Sequence, residues 1–222
     1  MADDLRGVSL WWDTLPADLL DPIGTPLPGD ADADVAIVGA GYTGLWTAYY
    51  LIRADPTLRI AIVEAQQAGF GASGRNGGWA SALFPVSIAA LARRSSRDEA
   101  VRMTRTMNAT VDEIGRVAAA EGWDIGWAKG GTVVAARTPL QLDRARSEID
   151  DWRTWGFGED DYALLDQAEV RDRLAVTDAL GGTYTPHCAT IHPARLARLL
   201  ARTVVDAGVL LYEQTSATAI EP

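Results

Sequence analysis

Three groups of residues in the first third of the chain have types and spacings suited to one kind of chemistry. Gly39-Ala40-Gly41-Tyr42-Thr43-Gly44 is a GxGxxG run, and Glu64 stands 20 positions after its last glycine. Gly69 to Trp79 reads GFGASGRNGGW, with five glycines among eleven residues and Ser73, Arg75 and Asn76 between them. Gly39 permits a tight turn, Gly41 lets backbone approach a pyrophosphate, and Gly44 lets a helix pack close to a strand. A helix that starts there offers unpaired N–H groups and positive dipole charge, worth roughly 0.3–1 kcal/mol to a nearby anion. The Glu64 carboxylate can accept hydrogen bonds from ribose hydroxyls. The second loop can wrap backbone amides around phosphate oxygens, and Arg75 can add a charge-assisted bond. Together these residues have the makings of a dinucleotide site.

Such residues work only if the right elements position them. Val35 to Val38 is an uninterrupted apolar run and reads as a buried strand. Leu45 to Leu51 carries a helical apolar pattern. Asp55-Pro56 stops it, because the residue before proline leaves the α region and proline lacks the N–H. Leu58 to Val63 reads as a second buried strand and ends on Glu64. The glycine motif therefore lies between strand and helix of a β-α-β unit, which is the context it needs. The glycine-rich loop follows the second strand directly, where a plain nicotinamide-binding domain would begin another helix.

GAGYTGLWTAYYL, IVEA and GFGASGRNGGW together resemble the N-terminal half of the FAD-dependent D-amino-acid oxidase superfamily, in its branch of glycine oxidase-like and γ-glutamylputrescine oxidase-like members. The early SLWW resembles an aromatic segment that precedes the first Rossmann strand in that branch. The resemblance implies an α/β fold: a Rossmann-like FAD-binding domain with part of an α+β substrate-binding domain, truncated. It implies FAD as cofactor, held by Gly39, Ala40, Gly41, Tyr42, Thr43, Gly44, Glu64, Ala65, Gly71, Ala72, Ser73, Gly74, Arg75, Asn76 and Gly77. It implies an oxidoreductase that oxidises the C–N bond of a small amine or amino-acid substrate by hydride transfer to flavin. It identifies no catalytic residue and no metal ligand in this half. Two alternatives stand beside it. One is an NAD-dependent dehydrogenase, in which Glu64 would repel a 2′-phosphate. The other is a non-catalytic dinucleotide-binding fragment.

The expected organisation is an N-terminal arm over 1–33, a FAD-binding segment over 34–120, a partial substrate-binding domain over 121–192, and a return to the FAD-binding domain over 193–222. Because the resemblance spans only half of a family member, the chain is expected to be a fragment. Its sheet is then expected to have exposed edges and uncovered apolar surface. In the arm, Pro22 to Gly29 is broken by five prolines or glycines, and Trp11 and Trp12 are expected to anchor it by burying their rings. Helices are expected over 97–120, 139–155, 164–174 with Asp166 as cap, and from Pro193 to a glycine stop at Gly208. Met103 and Met107 read as core filler, and Trp123 and Trp127 as packing residues. GGTVVAAR reads as a strand, and 181–193 as a short strand pair. His187, Cys188 and His192 match no defensible zinc spacing and read as structural.

Composition limits the partners. The 222 residues suffice for a real core, with 48 % hydrophobic and 23 % charged residues. A net charge of -10 offers no basic excess for nucleic acid. The single cysteine, Cys188, precludes an intrachain disulfide. The acidic start lacks a basic stretch leading into an apolar run, and no apolar run approaches the roughly 18 residues of a membrane span. A soluble cytoplasmic protein is the expectation.

Overall fold

The computed structural model describes residues 5–221. In chain order the first elements are α1 (Leu10–Asp13), β1 (Val35–Val38), α2 (Tyr42–Ala54), β2 (Ile60–Val63), β3 (Trp79–Ser81), α3 (Ile88–Arg94) and α4 (Arg97–Ala120). There follow β4 (Thr132–Ala136), α5 (Pro139–Thr154), β5 (Ala163–Leu165), α6 (Gln167–Arg173), β6 (Gly181–Thr185), β7 (Cys188–Thr190), α7 (Pro193–Asp206) and β8 (Leu210–Tyr212). They form two compact units. One holds the described residues up to Gly78, Trp123–Gly126 and those from Ile191 on; the other holds Trp79–Gly122 and Trp127–Thr190. The segment 79–120, which the sequence groups with the glycine motif, thus packs within the second unit.

The first unit is built on a parallel sheet of order β1-β2-β8. Val35 to Val38 pair with Ile60 to Val63, and Ala61 to Val63 pair with Leu210 to Tyr212. Arg59 fastens the start of the first pairing. Its Nη2 and Nε reach the Asp34 carboxylate at 2.7 and 3.1 Å. Hydrogen bonds from Arg59 hold the Asp34 pKa down at about 2. The sequence suggests that β1 is buried on both faces, but Ala36 and Val38 are exposed, Val38 at 59 %. β1 lies at the sheet edge, and only its Val35 and Ile37 face turns toward packed neighbours. α2 buries Gly44, Leu45, Ala48, Tyr49 and Ile52, one helical stripe, and ends at Asp55 before Pro56. Trp123 packs against Trp46 and Tyr49 and donates its Nε1–H to Thr203 Oγ1 at 3.2 Å.

α7 is the most buried helix of this unit. Pro193 occupies its first turn, and Leu196, Ala197, Leu200, Ala201 and Val204 are buried. With them lies Arg198, fully buried. Its guanidinium donates to the Leu19 carbonyl at 3.0 Å, to the Ala68 carbonyl at 3.3 Å, to the Asp21 carbonyl and to Glu213 Oε1 at 3.2 Å. Glu213, at the end of β8, is also fully buried. It accepts from the backbone N–H groups of Ala68 at 2.7 Å, Ile23 at 2.8 Å and Gly24 at 3.0 Å. One ion pair thus ties the arm, the segment after β2, α7 and β8 together. The arm adds a cluster of Leu5, Trp12, Leu15 and Leu19 around Ala194.

The second unit has an antiparallel sheet of order β4-β6-β5 and an antiparallel β3–β7 pair. The expected pairing of β6 with β7 does not occur. Thr185 and Cys188 are separated only by Pro186 and His187, and each strand finds its hydrogen bonds elsewhere: β6 with β4 and β5, β7 with β3. Ser96 caps α4, and capping boxes of Thr138 with Gln141 and Asp166 with Glu169 start α5 and α6. Along α4, Ala100, Asn108, Val111, Val117 and Ala118 are buried. Met103, expected in the core, is 41 % exposed, although it shares the helical arc of the buried Ala100 three positions before it. Trp127 packs over Gly115, where an added Cβ would come within 2.5 Å of the indole. His187 pairs with Asp161 at 3.0 Å.

Removing one partner of a buried pair leaves an uncompensated charge, typically at a cost of about 3–5 kcal/mol. Glu213→Ala is expected to lose stability in that range by denaturant unfolding. Glu213→Gln, which keeps the side-chain shape and one acceptor oxygen for part of the backbone donors, is expected to lose less.

Candidate functional site

At the carboxyl end of β1 the chain turns at Gly39, φ +94°, whose N–H is held by the Val63 carbonyl at 2.8 Å. Positive φ of this kind favours glycine. Five residues on, a Cβ at Gly44 would lie 2.1 Å from the Gly39 carbonyl oxygen and 3.0 Å from Ile37 Cγ2. The first turn of α2 therefore packs directly on the strand that feeds it, the role the spacing assigns to Gly44. Gly41 is the N-cap of α2 and supplies no side-chain cap, and no acidic residue stands in the first turn.

Glu64 emerges from β2 beside this turn. Its Oε2 accepts from the Ala40 N–H at 2.8 Å and its Oε1 from the Gln66 N–H at 2.9 Å. Each carboxylate oxygen keeps a second lone pair. Its backbone is fixed by β8 and by the segment just beyond that strand: Glu64 N–H donates to Tyr212, and Thr215 N–H to Glu64, both at 2.8 Å. Ala65, next along, is exposed.

The glycine-rich loop folds back onto the same turn. Gly69 N–H donates to the Ala40 carbonyl at 2.9 Å, and Tyr42 N–H donates to Ser73 Oγ at 2.9 Å. Ser73 thus caps α2 from outside the helix. Ala72–Gly74 form a single 3-10 turn, with Gly71 exposed before it and Gly74 buried. Asn76 spends its side chain inside the loop: Nδ2 donates to the Ser73 carbonyl at 2.9 Å, and Oδ1 accepts from the Gly78 N–H at 2.9 Å. Arg75 is exposed, its guanidinium 4.7 Å from the Phe70 ring centroid. Gly77 and Thr43 are exposed. The Tyr42 hydroxyl donates to the Pro193 carbonyl at 3.0 Å, and burial pushes its pKa up.

All the residues singled out by sequence for the cofactor lie in the first unit. The turn, Glu64 and the Ser73 end of the loop are joined by direct hydrogen bonds. Sequence reasoning missed Ala68 and Gly69 as loop anchors, and it missed Arg198 and Glu213 entirely. Nothing in an isolated arginine and a glutamate 15 positions apart marks them as a pair.

The site is lined by a helix start without its own side-chain cap, glycines at the points of closest approach, and a carboxylate at the second strand's end. These features define a parallel α/β dinucleotide-binding fold. The family described as FAD dependent oxidoreductase, DAO, matches residues 34–222, and the chain belongs to it. Membership sets the cofactor type as FAD and removes the nicotinamide alternative. The oxidoreductase OrdL of Rhizobium meliloti (strain 1021) is 32 % identical over 223 residues, covering 97 % of this chain and 49 % of the relative. The gamma-glutamylputrescine oxidoreductase of Escherichia coli (strain K12) is 32 % identical over 190 residues, covering 85 % and 43 %. The solved glycine oxidase from Geobacillus kaustophilus matches with a TM-score of 0.60 and 28 % identity, over 82 % of this chain and 46 % of that one. The chain spans about half the length of the curated relatives it matches. Among the described residues no helix is long and apolar enough to cross a membrane.

Two outcomes are expected. Gly44→Ala forces a clash with backbone, so it should cost about 1–3 kcal/mol or more by denaturant unfolding and weaken FAD binding in titration. The second concerns His192, the N-cap of α7. Its Nδ1 accepts from the Arg195 N–H at 3.2 Å, and its Nε2 lies 3.1 Å from Thr14 Oγ1. Burial first, then the Arg195 charge, lower its pKa from the ordinary 6.5, with Asp124 opposing. The unfolded chain therefore binds the proton more tightly, and stability falls as pH drops below about 6.5. In His192→Asn, which can still cap, that part of the slope measured between pH 7.5 and 5.5 should vanish.

Proposed function

We propose that Gly39–Gly44, Glu64 and the loop at 69–78 bind FAD, and that the whole protein uses it to oxidise the C–N bond of a small amine or amino acid. One observation supports the reading above the others. Three sequence-distant groups suited to the two ends of a dinucleotide are drawn onto one turn by the Ala40–Glu64, Tyr42–Ser73 and Gly69–Ala40 hydrogen bonds. The relatives named for amine oxidation carry the substrate class.

Each residue then has a task. Glu64 offers its remaining lone pairs to the adenosine ribose hydroxyls. The Ala40 N–H is already taken by Glu64, so it is not a phosphate ligand. Ser73 accepts from Tyr42 N–H and has its own hydroxyl proton to donate, which suits a phosphate oxygen at the start of α2. Gly41 keeps side-chain bulk away from the pyrophosphate, Ala72 and Gly77 do the same along the loop, and Gly74 lets the loop pack against Gly69 and Trp12. Arg75 is a cation held over Phe70 rather than in a carboxylate pair, and it adds charge at the loop surface. Asn76 shapes the loop from within. When bound, FAD supplies the hydride acceptor for a C–H bond next to nitrogen. Excluding water from the transfer would fall to parts of the protein that cover the flavin ring.

The test uses the whole protein reconstituted with FAD. A visible band near ~450 nm should survive gel filtration. FAD at about 100 times its Kd should stabilise the fold by about 2.7 kcal/mol, whereas NAD should give no shift. Anaerobic addition of glycine, sarcosine, D-amino acids or a γ-glutamylated diamine should bleach that band for at least one of them. A whole protein that holds FAD firmly but is bleached by no amine would refute the proposed substrate class and leave the cofactor site standing.

A further inference from the structure

The loop at 69–78 is rich in glycine, and glycine gives up more conformational freedom on ordering than any other residue. Something must hold it in one shape. Its own bonds account for part: Asn76 ties Ser73 to Gly78. Bonds to Ala40 and Tyr42 of the glycine turn and from the Ile191 N–H to the Gly78 carbonyl add more, and the arm completes the set. Trp11 Nε1 donates to the Asn76 carbonyl at 2.7 Å. The edge of the same indole covers Gly78, where an added Cβ would come within 3.0–3.1 Å of Cζ2 and Cη2. Trp12, fully buried, flanks the other end of the loop, with Nε1 3.2 Å from where a Cβ on Gly74 would sit.

Trp11 is itself held from behind. Its ring meets His192 edge-on with centroids 5.1 Å apart, and Thr14, one turn along α1, reaches the same imidazole at 3.1 Å. Further along the arm, Arg198 binds the Leu19 and Asp21 carbonyls, and Glu213 binds the Ile23 and Gly24 N–H groups. The arm is therefore fixed to α7 and β8 at one end and to the loop at the other.

We infer that Trp11 is a positioning residue for the cofactor, acting through the Asn76 carbonyl to keep the glycine loop closed over the start of α2. This rests on the FAD reading of the site. It assigns the tryptophan pair a task beyond anchoring: Trp12 secures the arm, and Trp11 sets the loop. Because the loop has so little side-chain packing of its own, losing the Trp11 contacts shifts it from mostly closed to substantially open. An open loop lowers FAD affinity by the fraction of molecules no longer competent to bind.

Arg75 lies in the loop and is exposed, so trypsin reports on loop opening without any cofactor. The cofactor-free chain, Trp11→Phe and Trp11→Ala would be digested briefly, with cleavage after Arg75 compared to cleavage after Arg146 in α5 by mass spectrometry. Trp11→Phe removes the N–H and keeps most of the ring. It should raise cleavage after Arg75 about five- to tenfold, and Trp11→Ala by more, with cleavage after Arg146 unchanged. The Kd for FAD should rise at least threefold in Trp11→Ala. Leu10→Ser, a change at an exposed neighbour in the arm, should alter neither. Unchanged cleavage after Arg75 in both tryptophan variants overturns the inference, as does raised cleavage with an unaltered Kd. If the parent chain takes up no FAD, the cofactor reading fails on its own account, while the Arg75 cleavage ratio still decides whether Trp11 holds the loop.

Discussion

The first unit depends on the burial of one charge pair. Arg198 and Glu213 have been taken wholly out of water, and their mutual attraction alone would not offset that desolvation. Hydrogen bonds make up the difference: three backbone carbonyls accept from the guanidinium, and three backbone N–H groups donate to the carboxylate. Desolvation, the dominant influence on Arg198, pulls its pKa down, and the Glu213 charge pushes the other way. Every one of those backbone partners lies outside the strands and the α-helices. The pair supplies these segments with the hydrogen bonds that a sheet or a longer helix would otherwise provide, and it does so at a fixed place between α7 and β8.

From that anchor the site is reached in two steps. Ala68 is gripped on both its N–H and its carbonyl, and the next residue, Gly69, bonds to Ala40 in the glycine turn. Glu64 is gripped by β8 on one side and by Thr215 on the other, and its side chain bonds to the same Ala40. Ala40 thus serves as a junction, with its carbonyl committed to the loop and its N–H committed to the acid. This places specific limits on the chemistry. Of the amides at the turn, that of Ala40 is taken by Glu64 and that of Tyr42 by Ser73, and the side chain best placed to join the others at a phosphate is Ser73, whose hydroxyl already caps α2.

Much of this was legible in the chain. The GxGxxG between an apolar run and a helical pattern, the acid at the end of the second run, and the loop that follows it located the turn, Glu64 and Ser73 before any coordinates. Proline and glycine marked the ends of α2 and the start of α7 for steric reasons that operate locally. What escaped was non-local. The burial of β1 on one face only depends on what packs against each face of the sheet, which an apolar run does not encode. The separation of β6 from β7 is decided by partners far along the chain. Met103 shares the helical arc of the buried Ala100, and periodicity does not say where along a helix that arc is covered. Arg198 read as one more arginine on an amphipathic helix, and only the fold shows that it faces inward.

The order in which the chain is made bears on how the first unit forms. Its pieces are interrupted by more than a hundred residues of the second unit, and β8 and Glu213 follow that stretch. During synthesis the arm and the glycine turn would wait, with Leu19, Asp21 and Ala68 lacking the buried partners they will eventually bind. The second unit, by contrast, draws its strands and helices from a nearly continuous stretch and can close earlier. Pairings between distant segments form slowly and leave apolar surface open meanwhile. The glycine turn would then be braced only once β8 and Glu213 have been made, and conditions that stall elongation before Glu213 would leave it unbraced.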